Sequence, residues 1–281
     1  MKTAFFCTRW GSEESSWKDF FARAQREGYS GIEYGIAAAT PAAELEEVFS
    51  LAARRGMSVI AQHYDTYEAD FTKHADLYSA WLDKMSAYKP LFINSQTGKD
   101  FFSFEQNHAL VQRAEKFTEE TGVRIYHETH RNKFTFAAHT TYAYLQQIPS
   151  LQLTLDISHW VSVAESYLED QLDAVHLAIE RTHHLHARVG YPEGPQVPDP
   201  RVREWETALN AHLLWWDKVA ERVKRQGADA VLTITPEFGP YPYMVPLPFT
   251  RQPITNQWEV NVFMMHLLQE RFRKYESISR H

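Results

Sequence analysis

The chain has 281 residues, 44% hydrophobic and 23% charged, which suits one large soluble core. Its 29 Lys and Arg stand against 36 Asp and Glu, a formal charge of −7; that speaks against a nucleic-acid surface, normally marked by a basic stripe. The single cysteine, Cys7, excludes an internal disulfide framework and fits a reducing compartment.

No stretch approaches the roughly 18 apolar residues that a bilayer span needs. The opening MKTAFFCTRWGSEESSW has no long apolar run before its first acidic residues, so it does not read as a signal peptide. The expectation is a cytoplasmic protein with no membrane and no nucleic-acid partner. Aromatics make up 14%, with eight Trp, enough for flat pocket walls as well as a core. They also leave room for a homo-oligomer.

Short apolar runs alternate with longer amphipathic ones from end to end. In chain order they predict strand 3–8 and helix 13–27, strand 31–35 and helix 42–55, strand 58–63 and helix 72–87, then strand 91–95 and helix 104–121. The second half continues with strand 123–129 and helix 135–147, strand 151–157 and helix 167–179, strand 183–189 and helix 203–226, and strand 230–238 and helix 256–275. Gly28, Gly56 and Gly122 recur between a helix and the next strand, where a left-handed residue ends a helix. Strand followed by helix, repeated in this way, implies parallel strands with crossover helices. We therefore expect an α/β fold, one (β/α)8 TIM barrel domain over residues 1–281. Two Pro- and Gly-rich stretches, 190–201 and 239–253, follow the seventh and eighth strands and are expected to wall the pocket.

Four of the apolar runs end in an oxygen or nitrogen metal ligand. These are Glu128 in VRIYHETHR, Asp156 in LQLTLDISHW, His186 in HHLHARVG and Glu237 in AVLTITPEFG. Residues two apart share a strand face, which groups Tyr126, Glu128 and His130, Thr154 with Asp156, His184, His186 and Arg188, and Thr233, Thr235 and Glu237. Converging buried carboxylates need a compensating cation. Three carboxylates and an imidazole, with no thiolate, suit a hard or borderline divalent ion. The competing readings are a salt bridge from the glutamates to Arg131 or Arg188, and an Asp156 that only orients His159.

With HETHR, the D-x-x-H of Asp156 and His159, HLHARVG and TPEFG in order, the chain resembles the xylose-isomerase-like TIM-barrel family. That family comprises sugar isomerases and epimerases together with the AP-endonuclease branch. The resemblance covers nearly the whole chain. It implies one divalent metal (Mn, Zn, Mg or Co) held by Glu128, Asp156, His186 and Glu237, with the two glutamates moving a proton on opposite faces of a sugar or polyol through an enediolate. His159 and Arg188 would bind substrate oxygens.

His63 closes the third strand and faces the barrel if Ala61 does. There it would touch substrate; otherwise it is a hydrogen-bonded rim histidine. Trp10, and Tyr34 beside it, could stack on a sugar. Cys7 reads as a small apolar barrel residue. A dehydratase of a keto-inositol-like ring would use the same base and metal, and a non-catalytic sugar- or metal-binding barrel is a further alternative. The phosphodiesterase branch needs histidines on the third and fourth strands and a D-x-H after the seventh; INSQTG and ARVGYPEGPQVPDP do not supply the latter two.

Overall fold

The computed structural model describes residues 1–275; the last six positions of the predicted domain, 276–281, lie outside the described residues. The strands are β1 (Lys2–Thr8), β2 (Gly31–Gly35), β3 (Ser58–His63), β4 (Ile93–Ser95), β5 (Ile125–Glu128), β6 (Leu153–Leu155), β7 (Thr182–His186) and β8 (Val231–Thr235). Between and after them lie α1 (Trp17–Glu27), α2 (Ala42–Arg55), α3 (Phe71–Ser86), α4 (Phe104–Thr121), α5 (Ala138–Gln147), α6 (Ile157–Ala164), α7 (Leu172–Arg181), α8 (Glu206–Arg225) and α9 (Gln257–Phe272). Each strand pairs in parallel with the next, and β1 closes on β8 through Lys2 opposite Val231, making a (β/α)8 barrel. No described helix is long and apolar enough to cross a membrane.

Local chemistry sets several boundaries. The first helix starts at Trp17 rather than at residue 13 because Ser16 accepts a hydrogen bond from the Asp19 amide at 3.1 Å. In α4 a capping box joins Ser103 and Gln106, and Gly122, at φ 75°, takes the left-handed turn that ends the helix.

The sequence reading departs furthest around β6. The predicted strand 151–157 stops at Leu155, because Asp156 turns the chain and caps a helix through Ser158 N–H at 3.1 Å. The apolar run ISHWVSVA is α6, with Ile157, Trp160 and Val161 buried. The predicted helix 167–179 is displaced to α7.

Two layers of apolar packing hold the barrel. Inside, Phe6, Ile60, Phe92 and Tyr126 plug its lower half, each such burial contributing about 1.5–3 kcal/mol. Outside, helix faces cover the opposite strand faces, Cys7 among them, which points toward the helix layer rather than into the barrel. Above the plug the interior becomes polar: the His184 ring sits 5.1 Å from Phe92 and 6.5 Å from Phe6 and is bonded to Glu33. The acidic groups at the strand ends are built on this floor.

Candidate metal centre at the barrel mouth

Glu128 is the last residue of β5 and His186 the last of β7, while Asp156 lies one residue beyond β6 and Glu237 two beyond β8. All four are buried, and one ligand atom from each lies within 4.8 Å of the others. His186 Nδ1 stands 2.9 Å from Glu237 Oε2 and 3.8 Å from Glu128 Oε1, yet makes hydrogen-bond geometry with neither. A buried ring nitrogen aimed between carboxylates is how a metal-ligating histidine sits. The donor set and this nitrogen fit a divalent cation of the hard or borderline kind.

The opposite nitrogen of His186 supports the same reading. Its Nε2 is 3.0 Å from Glu33 Oε1, the carboxylate partner that fixes the tautomer and orientation of ligating histidines. Glu33 also meets His184 Nε2 at 3.2 Å, Asn94 Nδ2 at 2.9 Å and the Thr235 hydroxyl at 2.5 Å. Burial opposes its ionisation, but His186 and His184 outweigh this and hold its carboxyl well below the usual range. Sequence reading missed Glu33. The signal was there: GIEYG has an acid between Ile32 and Tyr34, on the alternate face. E33Q is expected to weaken Mn2+ or Zn2+ binding about 10–100-fold in calorimetry; unchanged affinity would show that Glu33 does not orient His186.

The remaining charges are arranged around the four. Arg188 pairs with Asp156 and lies 3.5 Å from Glu237. Gln62 donates to Glu237 at 3.0 Å and Glu128 at 3.4 Å, and Asn94 to Glu128 at 2.8 Å. Burial, joined by Glu237 and Asp156 and opposed by His186, raises Glu128 to about 7. Burial pushes Glu237 the same way, but there His186 and Arg188 prevail and lower it.

Over this cluster opens a cleft of about 610 Å3 whose lining includes Glu237, Gln62, Gln96 and Arg188. Its walls carry Trp10, Trp17, Tyr34, Tyr64, Tyr67 and Tyr243. A neighbouring cleft of about 830 Å3, against the 239–253 segment, is lined by none of the four candidate ligands.

Of the expected substrate contacts, Arg188 and Trp10 line the first cleft, Trp10 edge-on to Tyr243 with centroids 5.1 Å apart. His159 does not line it. It sits on the first turn of α6, wholly buried, with Arg131 Nε at 3.1 Å from one nitrogen and Arg188 Nη2 at 2.9 Å from the other. A neutral ring accepts at one nitrogen only, and with Arg131 Nε–H donating to Nδ1 it is Arg131 that His159 positions.

His63 is not at the mouth at all. Gln62 takes the inward face of β3, so His63 points with Ala61 into the helix layer, bonded to Ser95 and Thr66 and packed against Tyr78 and Trp81. The histidine that a phosphodiesterase would need on this strand is thus turned away. The 190–201 segment lines neither cleft; it braces the other loop through Gln196, which bonds Gly239 N–H at 2.7 Å and its carbonyl at 3.1 Å. From 239–253, Tyr243 alone enters the wall of the first cleft.

A closed parallel barrel with its polar cluster at the carboxyl ends of the strands defines a TIM barrel with the site where such barrels place their chemistry. No protein-family model and no curated protein matches the sequence. Among solved structures it is similar to the probable 3-DHS dehydratase AsbF of Bacillus anthracis, at 16% identity over 96% of this chain and 99% of that one, with a TM-score of 0.59. A family 2 AP endonuclease from Brucella melitensis aligns at 9% identity over 85% and 93%, TM-score 0.52. The catalytic domain of endoglucanase Cel5A from Thermobifida fusca aligns at 9% over 94% and 91%, TM-score 0.53. At these identities the likeness is one of fold.

Proposed function

We propose that the protein is a metal-dependent isomerase or epimerase of a sugar or sugar-like polyol. The observation that carries this is the convergence of Glu128 and Glu237, from opposite sides of the barrel mouth, on one nitrogen of His186 beneath a cleft. Their environments push their proton affinities apart, Glu128 up to about 7 and Glu237 down.

Glu128, Asp156, His186 and Glu237 would hold the divalent ion, which when bound supplies Lewis-acid polarisation of a carbonyl. The chain's own residues do the rest. Glu237, at the cleft, is the group to remove a proton beside the carbonyl, and Glu128 the one to deliver a proton from the other side. Gln62 and Asn94 hold Glu128 by their amides. Arg188, kept in place by Asp156, offers its guanidinium to substrate oxygens. The aromatic walls exclude water from the carbanion-like intermediate.

The test is proton exchange rather than a product assay. Mn2+-loaded protein is incubated in D2O with a panel of aldoses, ketoses and keto-polyols, and 1H NMR follows the carbon-bound protons. Exchange at one carbon is expected, stopped by chelator and by E237Q. Return of the label in an isomer or epimer supports the reading, whereas loss of water after the same step assigns a dehydratase. Metal-loaded protein that exchanges none of the panel would sink the proposal.

A further inference from the structure

Lys133 is the charged residue of the cleft whose side chain has no hydrogen-bond or ion-pair partner among the described residues. It lines the cleft, is 1% exposed, and its ammonium makes no hydrogen bond among the described residues. The other cations of the wall each make hydrogen bonds within the protein, although Arg9 leaves its Nη1 without one. Arg9 donates to the carbonyls of Glu13 and Ser15, Arg131 to His159 and Tyr243, and Arg188 to Asp156.

Lys133 Nζ instead stands 5.4 Å from the centroid of Tyr67, a ring that Lys99 Nζ approaches at 5.5 Å. Lys99 is itself buried and reaches only as far as Asn132 Oδ1, at 3.5 Å. Two ammonium groups thus approach one aromatic ring. An ammonium taken out of water without a partner is costly, and one cation–π contact returns only about 0.5–2 kcal/mol. Burial first, and then Lys99, lower Lys133 to about 8; Glu128, Asp65 and Asp100 pull the other way without forming an ion pair with it. Among the described residues no carboxylate forms an ion pair with either lysine, and Lys133 lines the cleft.

We propose that Lys133, backed by Lys99, is the anion-binding end of the cleft, so that the substrate is a polyhydroxy carbonyl compound carrying an oxyanion, a carboxylate or a phosphate. This rests on the function proposed above and narrows its substrate class. The sugar's carbonyl end would lie over Glu128 and Glu237, and its charged end at Lys133.

The probes are D-glucuronate, D-glucose 6-phosphate and the uncharged D-glucuronamide and D-glucose. Binding to metal-loaded protein is measured by calorimetry, and the Lys133 13Cε resonance is followed in lysine-labelled protein. One of the anions is expected to bind about tenfold more tightly than its neutral counterpart, the increment of one charge-assisted contact, and to shift the Lys133 signal. Which anion does so separates the carboxylate from the phosphate. K133Q should bring each pair to within about twofold, and, having lost an unpaired buried charge, should melt no lower than the parent.

Charged and neutral probes that bind alike, no binding by either anion, or an advantage that survives K133Q each overturn the subsite. The parent's Lys133 signal decides the matter should K133Q fold poorly. A chain that binds metal but shows no anion preference loses the subsite and keeps the enzymatic reading. Lys133-dependent anion binding by a chain that takes up no metal does the reverse.

Discussion

Protein purified without chelator or histidine tag is expected to carry about one divalent cation per chain, measured by elemental mass spectrometry, and D156N or H186A is expected to lose it. The reason is the concentration of charge. Glu128, Asp156 and Glu237 are buried together, with Arg188 and the His186 ring as the nearby cations. Arg188 already spans two of the carboxylates, so it neutralises part of the cluster without satisfying Glu128. A cation at His186 Nδ1 would complete the balance, and its affinity adds directly to folded-state stability. At free metal a thousandfold above Kd that is about 4 kcal/mol. For a domain of this size chelation should then lower the thermal midpoint by roughly 7 °C, and the shift should vanish in D156N and H186A. No metal after soaking with Mn2+ or Zn2+ at neutral pH would remove the basis for the proposed chemistry. Two or three ions per chain would reopen the phosphodiesterase alternative.

The four carboxylate and imidazole positions were legible because each ends an apolar run, and alternation along a strand tells which neighbours share its face. The barrel was legible for the same reason: strand and helix alternate, and glycines such as Gly122 mark the joints. His63 was not, because alternation gives a face only relative to a reference. Ala61 fits either side; the amide of Gln62, drawn to Glu128 and Glu237, sets which side is inside. Nor was α6 legible as a helix. Its apolar ISHWVSVA continues the hydrophobicity of β6, and only the turn made by Asp156 as a helix cap separates the two. That turn also brings His159 back to within 3.7 Å of Asp156, which a continuous strand would have prevented. Glu33 and Lys133 share a different difficulty. Their significance lies in which groups face them, and those come from β4, β7, β8 and the segment around Tyr67, all distant in sequence.

Acid should destabilise the fold from about pH 6.5 downward, and His212 on α8 should account for a measurable share. The ring is wholly buried; Nδ1–H donates to the Ala208 carbonyl at 2.8 Å, and Nε2 accepts the Gly190 N–H at 3.1 Å. It thereby fixes the start of the 190–201 segment, just beyond Arg188. The bond from Gly190 requires the neutral ring, since a proton on Nε2 would face the Gly190 N–H, whereas the bond to Ala208 survives in either form. Burial lowers the pKa to about 4 from 6.5, against a small opposing effect of the Ala208 carbonyl. Between those two values the unfolded chain binds a proton that the folded one does not, so stability rises with pH. The contribution is complete above about 6.5 and is lost as pH falls toward 4, at about 1.4 kcal/mol per pH unit. By pH 5 the loss is about 2 kcal/mol, or roughly 3–4 °C in the midpoint. Urea unfolding of chelator-treated protein from pH 8 to pH 5 reads this directly, free of any contribution from metal release. H212Q gives up packing and one of the two bonds, so it should be less stable than the parent at pH 8 by about 1–2 kcal/mol. Its stability should fall less steeply on acidification, and the two curves should meet near pH 5. His127 and His183, also held low by burial, contribute to both curves and drop out of the difference. Parallel curves would mean that His212 does not carry the proton linkage assigned to it.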